Sequence, residues 1–202
     1  MRAVTNVFFD LGGVLVSVDL AAGCRRIVEL AGRGDPEAVR KTMLDAFQPL
    51  LSTGAMTPEA FHAGVCERLE LSIPYEEFAR AYADIFAPIE GTWEMVRLAR
   101  RRFRVHLLSN TDPLHLRFIA EELLPGRFEL FEHLVLSYEV GHLKPAPDIY
   151  RHAIERCGAQ AEACLFIDDL AVNVKGARAC GMRGLLFSSP ERLAKDLTQV
   201  AW

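Results

Sequence analysis

A doubly wound α/β fold, its parallel sheet interrupted after the first strand by a small all-helical cap, is what this sequence of 202 residues predicts. Three observations carry that reading. Five short runs are almost continuously apolar, as strands covered on both faces must be. From the second run onward, helical segments separate them, the alternation of a parallel sheet. Between the first and second runs lies a long stretch with helical periodicity and no convincing strand.

The first strand is Val7-Phe8-Phe9. The insert follows, with helical segments at Ala21–Ala31, Pro36–Leu51, Pro58–Leu69 and Tyr75–Phe86. Thr57-Pro58-Glu59 and Ile73-Pro74-Tyr75 read as helix starts. An insert of this length cannot be a simple crossover. It is expected to form a cap domain over one sheet edge, residues 17–87, leaving residues 1–16 and 88–202 as the core domain. Phe47, Phe61, Phe78 and Tyr82 read as the core of that bundle rather than as a substrate platform.

A helix at Trp93–Arg102 rejoins the core, and Arg100, Arg101, Arg102 and Arg104 read as its solvated end, where cations complement the helix dipole. The second strand is Val105–Leu108. Asp112-Pro113 then opens a helix with a capping side chain followed by proline at the first helical position. His133–Leu136 is the third strand, and Pro147-Asp148 starts the helix that runs to Gly158. The fourth, Cys164–Ile167, precedes a helix that follows Asp169 and stops at Gly181. Gly184–Phe187 is the fifth strand, and Ser189-Pro190 opens a short last helix.

Composition excludes several roles. Half of the residues are hydrophobic and the formal net charge is -4, which argues against a nucleic-acid partner. No apolar run approaches the roughly 20 residues that cross a bilayer. The opening MRAVTNVFFDLGG lacks the apolar core and cleavage site of a signal peptide, so a cytoplasmic location is expected. The cysteines Cys24, Cys66, Cys157, Cys164 and Cys180 are odd in number and scattered, as buried thiols of a reducing compartment are. Oligomeric state leaves no signature.

In an open parallel sheet, ligands bind beyond the carboxyl ends of the strands. The first strand ends in Asp10-Leu11-Gly12-Gly13 and the second in Ser109-Asn110-Thr111-Asp112. Lys144-Pro145 follows the third after a loop, and Asp168-Asp169 ends the fourth. Each alone is ordinary, since aspartate after a strand is often a turn residue. Together they bring a carboxylate, a hydroxyl, an ammonium and a carboxylate pair to one edge. Paired carboxylates repel unless a cation or shared proton compensates. The set suits a divalent metal and a phosphoryl group.

The segments FFDLGGVLV, LLSNTD, GHLKPAPDIY and FIDDLAVNVKGA resemble, in order, the four motifs of the haloacid dehalogenase superfamily. The similarity runs over almost the whole chain and includes a helical cap after the first motif. The nearest likeness is to the branch that contains alpha-D-glucose-1-phosphate phosphatase, with its FDLG and LSNT segments. The resemblance implies that Asp10 attacks phosphorus and becomes an aspartyl-phosphate. It implies that Ser109 and the Asn110 backbone hydrogen-bond the phosphoryl oxygens, and that Lys144 neutralises charge there and on Asp10. Asp169 would be the principal acidic metal ligand, Asp168 a direct or supporting one, and Gly12 a ligand through its carbonyl. Asn173 would brace the metal site or Lys144. Mg²⁺ is the expected cofactor, because it prefers oxygen ligands, and a small phosphorylated metabolite is the expected partner.

One position departs from the family. Most of its phosphatases carry a second aspartate two residues after the nucleophile, as general acid and base; here that position is Gly12. General acid–base catalysis contributes roughly 10²–10⁴-fold. A substrate with a good leaving group, such as a sugar 1-phosphate, needs less of it. Asp19 and His142 are candidate stand-ins, although Asp19 could simply cap the helix that begins at Leu20 and His142 could be a surface loop residue. A dehalogenase-type carbon–halogen hydrolase, which would not need the metal, and a degenerate binder of phosphorylated ligands are the alternative functions.

Overall fold

The computed structural model describes residues 3–199. Its main sheet has strands β1 (Asn6–Phe9), β4 (Arg104–Ser109), β5 (His133–Leu136), β6 (Cys164–Asp168) and β7 (Arg183–Leu186). All are parallel and their order is β5-β4-β1-β6-β7. β1 lies in the centre, with Phe9 paired to Leu107 on one side and Ile167 on the other. Whatever follows β1 therefore emerges between the ends of β4 and β6.

Alternation along these strands feeds two apolar layers. Phe8, Leu108 and Phe166 point to α9 (Pro147–Cys157) and α10 (Ala171–Ala179). Val7, Phe9, Leu107 and Ile167 point the other way, to α6 (Glu90–Ala99) and α11 (Pro190–Gln199).

The insert holds α1 (Leu20–Ala31), α2 (Pro36–Thr42), α3 (Gln48–Ser52), α4 (Pro58–Leu69) and α5 (Tyr75–Ala83). The segment read as one helix over Pro36–Leu51 is in fact broken. The backbone widens into a π-turn at Met43–Phe47 just before Pro49, which cannot donate an N–H and so takes a first-turn position in α3. Phe61, Phe78 and Tyr82 are fully buried. They belong to the same apolar cluster as Val7 and Phe9 of the sheet.

The stretch between the first and second sheet strands also contains strands that its sequence does not suggest. β2 (Val16–Val18) and β3 (Phe86–Pro88) form an antiparallel ribbon in which Ser17 pairs with Ala87. Three-residue strands are too short to establish an alternation, and the apolar residues of β3 continue the periodicity of α5. The insert thus leaves and returns through paired backbone. Arg104 also differs from expectation. It is the first residue of β4, not part of a helix end, and it forms two hydrogen bonds to the Glu132 carboxylate at 2.7 and 2.6 Å. No helix among the described residues is long and apolar enough to cross a membrane.

Candidate active site

Asp10 follows the central strand, and its amide donates to the Ile167 carbonyl at 2.9 Å, continuing the ladder by one residue. The side chain is fixed at the turn: Oδ1 accepts the Leu11 N–H at 2.7 Å. The same oxygen lies 2.7 Å from Lys144 Nζ. That ammonium also lies 2.7 Å from Asp168 Oδ2 and donates to the Leu108 carbonyl at 3.2 Å. Its side chain is only 1% exposed. One buried lysine thus spans the ends of β1, β4 and β6.

The backbone of Lys144 is held just as closely. Its N–H donates to Asn110 Oδ1 at 2.8 Å, and Asn110 Nδ2 donates to the Lys144 carbonyl at 3.0 Å. The Asn110 side chain therefore clamps the lysine loop to the end of β4. Ser109, the last residue of that strand, is buried beside it.

Asp168 has little capacity left for another partner. Besides Lys144, its oxygens accept both contacts from Asn173 Nδ2, at 3.1 Å each, and the Leu170 N–H at 2.8 Å. Asn173 is buried in the first turn of α10 rather than exposed. Asp169 is less enclosed and lines an open cleft of about 550 Å³ together with Asp10, Gly12, Asn110 and Lys144. Gly13 makes room for it. A β-carbon on Gly13 would stand 2.3 Å from Asp169 Oδ2, and the residue has φ +77, a conformation that disfavours side chains.

Oxygen atoms of Asp10, Asp168 and Asp169 all lie within 4.8 Å of one another. A single ammonium faces three carboxylates, so negative charge is under-compensated. Burial pushes the Asp10 carboxyl up to about 7; the Asp168 charge adds to this, and Lys144 opposes it. Burial and the Asp168 charge also raise Asp169. A hard divalent cation resolves this imbalance, and an all-oxygen donor set fits it.

A family model of the haloacid dehalogenase-like hydrolases matches residues 4–181. The chain belongs to this family. This haloacid dehalogenase-like hydrolase is 30% identical over 198 residues to a Mycobacterium tuberculosis protein named phosphatase MT3486, covering 91% of the chain and 87% of that protein. It is 25% identical over 188 residues to the D-ribitol-5-phosphate phosphatase of Bacteroides thetaiotaomicron, covering 88% and 89%. A crystal structure of a family enzyme from the same organism, in complex with magnesium and inorganic phosphate, superposes with TM-score 0.83 at 25% identity, covering 93% of this chain and 96% of that one.

The haloacid dehalogenase-like site of this chain brings together Asp10, Gly12, Ser109, Asn110, Lys144, Asp168, Asp169 and Asn173, but neither candidate stand-in for the missing acid. Asp19 caps α1, accepting the Ala22 N–H at 2.9 Å, with its side chain 64% exposed. His142 is exposed on the loop before Lys144. Neither lines the cleft. What the sequence reading did not anticipate is a buried polar cluster beside the site, formed by Tyr82, Asp112 and His115. Its available signal was the Asp112–His115 spacing, which places both on one face of the first turn of a helix.

Proposed function

We propose that this chain is a magnesium-dependent phosphatase that hydrolyses a small phosphorylated metabolite through an aspartyl-phosphate on Asp10. The observation that carries this reading is the buried Lys144 ammonium shared by Asp10 and Asp168. An ammonium so placed holds an anionic nucleophile and draws an anionic phosphoryl group to it. An Asp10 oxygen attacks phosphorus, the O–P bond to Asp10 forms as the ester O–P bond breaks, and the leaving oxygen takes a proton from solvent water to depart as the alcohol; a second water then cleaves the acyl phosphate, releasing inorganic phosphate and the free Asp10 carboxylate. Ser109 and the Asn110 backbone would hold the phosphoryl oxygens. Asp10, Asp169 and the Gly12 carbonyl would hold Mg²⁺, with Asp168 serving mainly to orient Lys144. When bound, the ion supplies charge neutralisation and polarisation of the phosphoryl oxygens. The D-ribitol-5-phosphate phosphatase among the relatives supports a sugar or polyol phosphate as substrate.

Turnover of phenyl phosphate and of a panel of phosphorylated metabolites, titrated with Mg²⁺, tests the proposal. Metal-dependent phosphate release is expected. Metal-independent halide release from haloacids would point to the dehalogenase alternative, and silence on the whole panel to a binding role.

Two glycines extend the test. Gly13→Ala places a methyl group against Asp169 and costs about 1–2 kcal/mol for the left-handed backbone alone. The rise in melting temperature on adding Mg²⁺ should then shrink or vanish. An undiminished rise would remove Asp169 from the ligand set. Gly12→Asp is the opposite case, since a β-carbon there meets only Val18 Cγ2 at 3.5 Å, an ordinary contact. If a missing acid limits the rate, alkyl phosphates should gain about tenfold or more and aryl phosphates little. Equal or absent gains would mean a site already adapted to glycine.

A further inference from the structure

Two of the cysteines that are scattered in the sequence meet in the fold. Cys157 is the last residue of α9 and Cys164 the first of β6. Their sulfurs lie 3.8 Å apart, and the residues are only 2% and 0% exposed. Each thiol also has a carbonyl to donate to. Cys157 Sγ reaches the Ile154 oxygen at 3.2 Å, and Cys164 Sγ reaches the Gln160 oxygen at 3.5 Å. With both protons so directed, the sulfurs face each other as a bare contact.

The pair lies at the end of the sheet remote from the site. Cys164 is level with Asn6, the first residue of β1, whereas Asp10 follows the last. Lys144 precedes α9 and Asp168 ends β6, and their ion pair joins these two segments at the catalytic edge. The thiols meet at the opposite end of the same two segments.

Cysteine in an apolar layer often serves only as a small hydrophobe. Packing alone does not require sulfur against sulfur beside a cation. Arg104 donates from Nη1 to the Cys157 carbonyl at 2.7 Å, and Glu132 holds its guanidinium in place. Burial pushes the Cys164 thiol up to about 12; Cys157 adds to this, and Arg104 opposes it. The thiol therefore stays protonated while it is covered. Its cover is a short turn in which Gly158, left-handed, ends α9, and Gln160 and Glu162 are exposed. Helix ends open at far less cost than the whole fold. When this one opens, desolvation is relieved while the Arg104 charge remains, and a nearby cation favours the reactive thiolate.

We propose that Cys157 and Cys164 form an oxidation site, closing to a disulfide that ties α9 to β6 on exposure to a small-molecule disulfide such as oxidised glutathione. One cysteine thiolate attacks a sulfur of the oxidant, giving a mixed disulfide and one glutathione thiolate. The second cysteine thiolate then attacks the protein sulfur of that mixed disulfide and releases the second glutathione. The protein gives up two electrons and two protons, and the oxidant leaves as two thiols. The sulfurs close from 3.8 Å to the roughly 2.05 Å of an S–S bond, a movement that a helix end accommodates. The link constrains the unfolded chain and holds the segments bearing Lys144 and Asp168 together without touching the site itself.

The test incubates the intact protein with oxidised glutathione just below its melting temperature. Trypsin cuts after Arg156 and Lys175, so both thiols fall on one peptide, residues 157–175. After denaturation in N-ethylmaleimide, that peptide should be two hydrogens lighter than its reduced form and carry no maleimide. The melting temperature should rise by about 4–10 °C and fall back on adding dithiothreitol. Cys157→Ala and Cys164→Ala should each remove the rise. Maleimide on both sulfurs, or glutathione retained on one of them without closure, overturns the oxidation site. A link that forms without raising the melting temperature, or a rise that persists in either variant, overturns its stabilising role.

Discussion

Asp10→Asn should abolish turnover, lowering kcat by about 10³-fold or more, while the protein stays folded. The substitution is nearly isosteric and removes the charge that attacks. Activity above a few per cent of wild type would exclude Asp10 as the nucleophile. The same variant carries a signature in stability. Asp10 titrates near 7 in the folded chain because burial outweighs the attraction of Lys144, against an ordinary value of 3.8. A carboxyl whose pKa is raised by folding holds its proton more tightly folded than unfolded. It therefore costs nothing below about 3.8 and most above about 7. Without metal, the asparagine variant should melt higher than wild type at pH 8, with the gap closing toward pH 4. Adding Mg²⁺ should reverse the order, because the wild type gains a ligand-linked stabilisation that the variant lacks. Thermal scans at the two pH values, with and without the ion, read both effects. A gap that widens toward low pH would contradict the raised carboxyl.

Lys144→Met should be the most destabilising of these substitutions. It strips the common counter-ion from two buried carboxylates, Asp10 and Asp168, and leaves the Leu108 carbonyl without its donor. Breaking a buried pair from one side costs about 3–5 kcal/mol, or roughly 6–20 °C of melting temperature for a chain of this size. Activity should disappear with it. Because the penalty is that of stranded negative charge, it should be largest at pH 8 and shrink as the pH falls and the carboxyls take up protons. Pairing the change with Asp168→Asn should restore part of the lost stability, a coupling that a double-mutant cycle measures. A melting temperature within about 2 °C of wild type at pH 8 would mean that the bridge contributes little.

Most of this centre was legible in the sequence because its residues sit where strand termini must deliver them. The apolar runs announce β1, β4, β5 and β6, and the parallel order turns four separated segments into neighbours. Asp10, Lys144 and Asp168 needed no more than that. Asn173 was harder. Its position in the chain fits an exposed helical face equally well, and only the approach of α10 to the end of β6 turns its amide toward Asp168. The β2–β3 ribbon was illegible because three-residue strands carry no periodicity of their own. Tyr82 was hidden for a different reason. Its ring reads as bundle core, and that is where the ring lies, but its hydroxyl reaches across to Asp112 on another element. Periodicity reports which face of a helix is buried, not what waits opposite its polar tip.

The apolar cluster described above runs without interruption from Val7 and Phe9 in the sheet to Ile27, Phe61 and Phe78 in the insert. This continuity limits how the chain can be re-engineered. Excising the insert and closing the ribbon with a short turn would leave oily surface on both pieces, so neither is expected to remain soluble by itself. Transplanting another enzyme's insert to alter substrate preference calls for redesigning the sheet-facing side chains in the same step. New substrate ranges in this scaffold are therefore reached more readily by point changes than by exchanging modules.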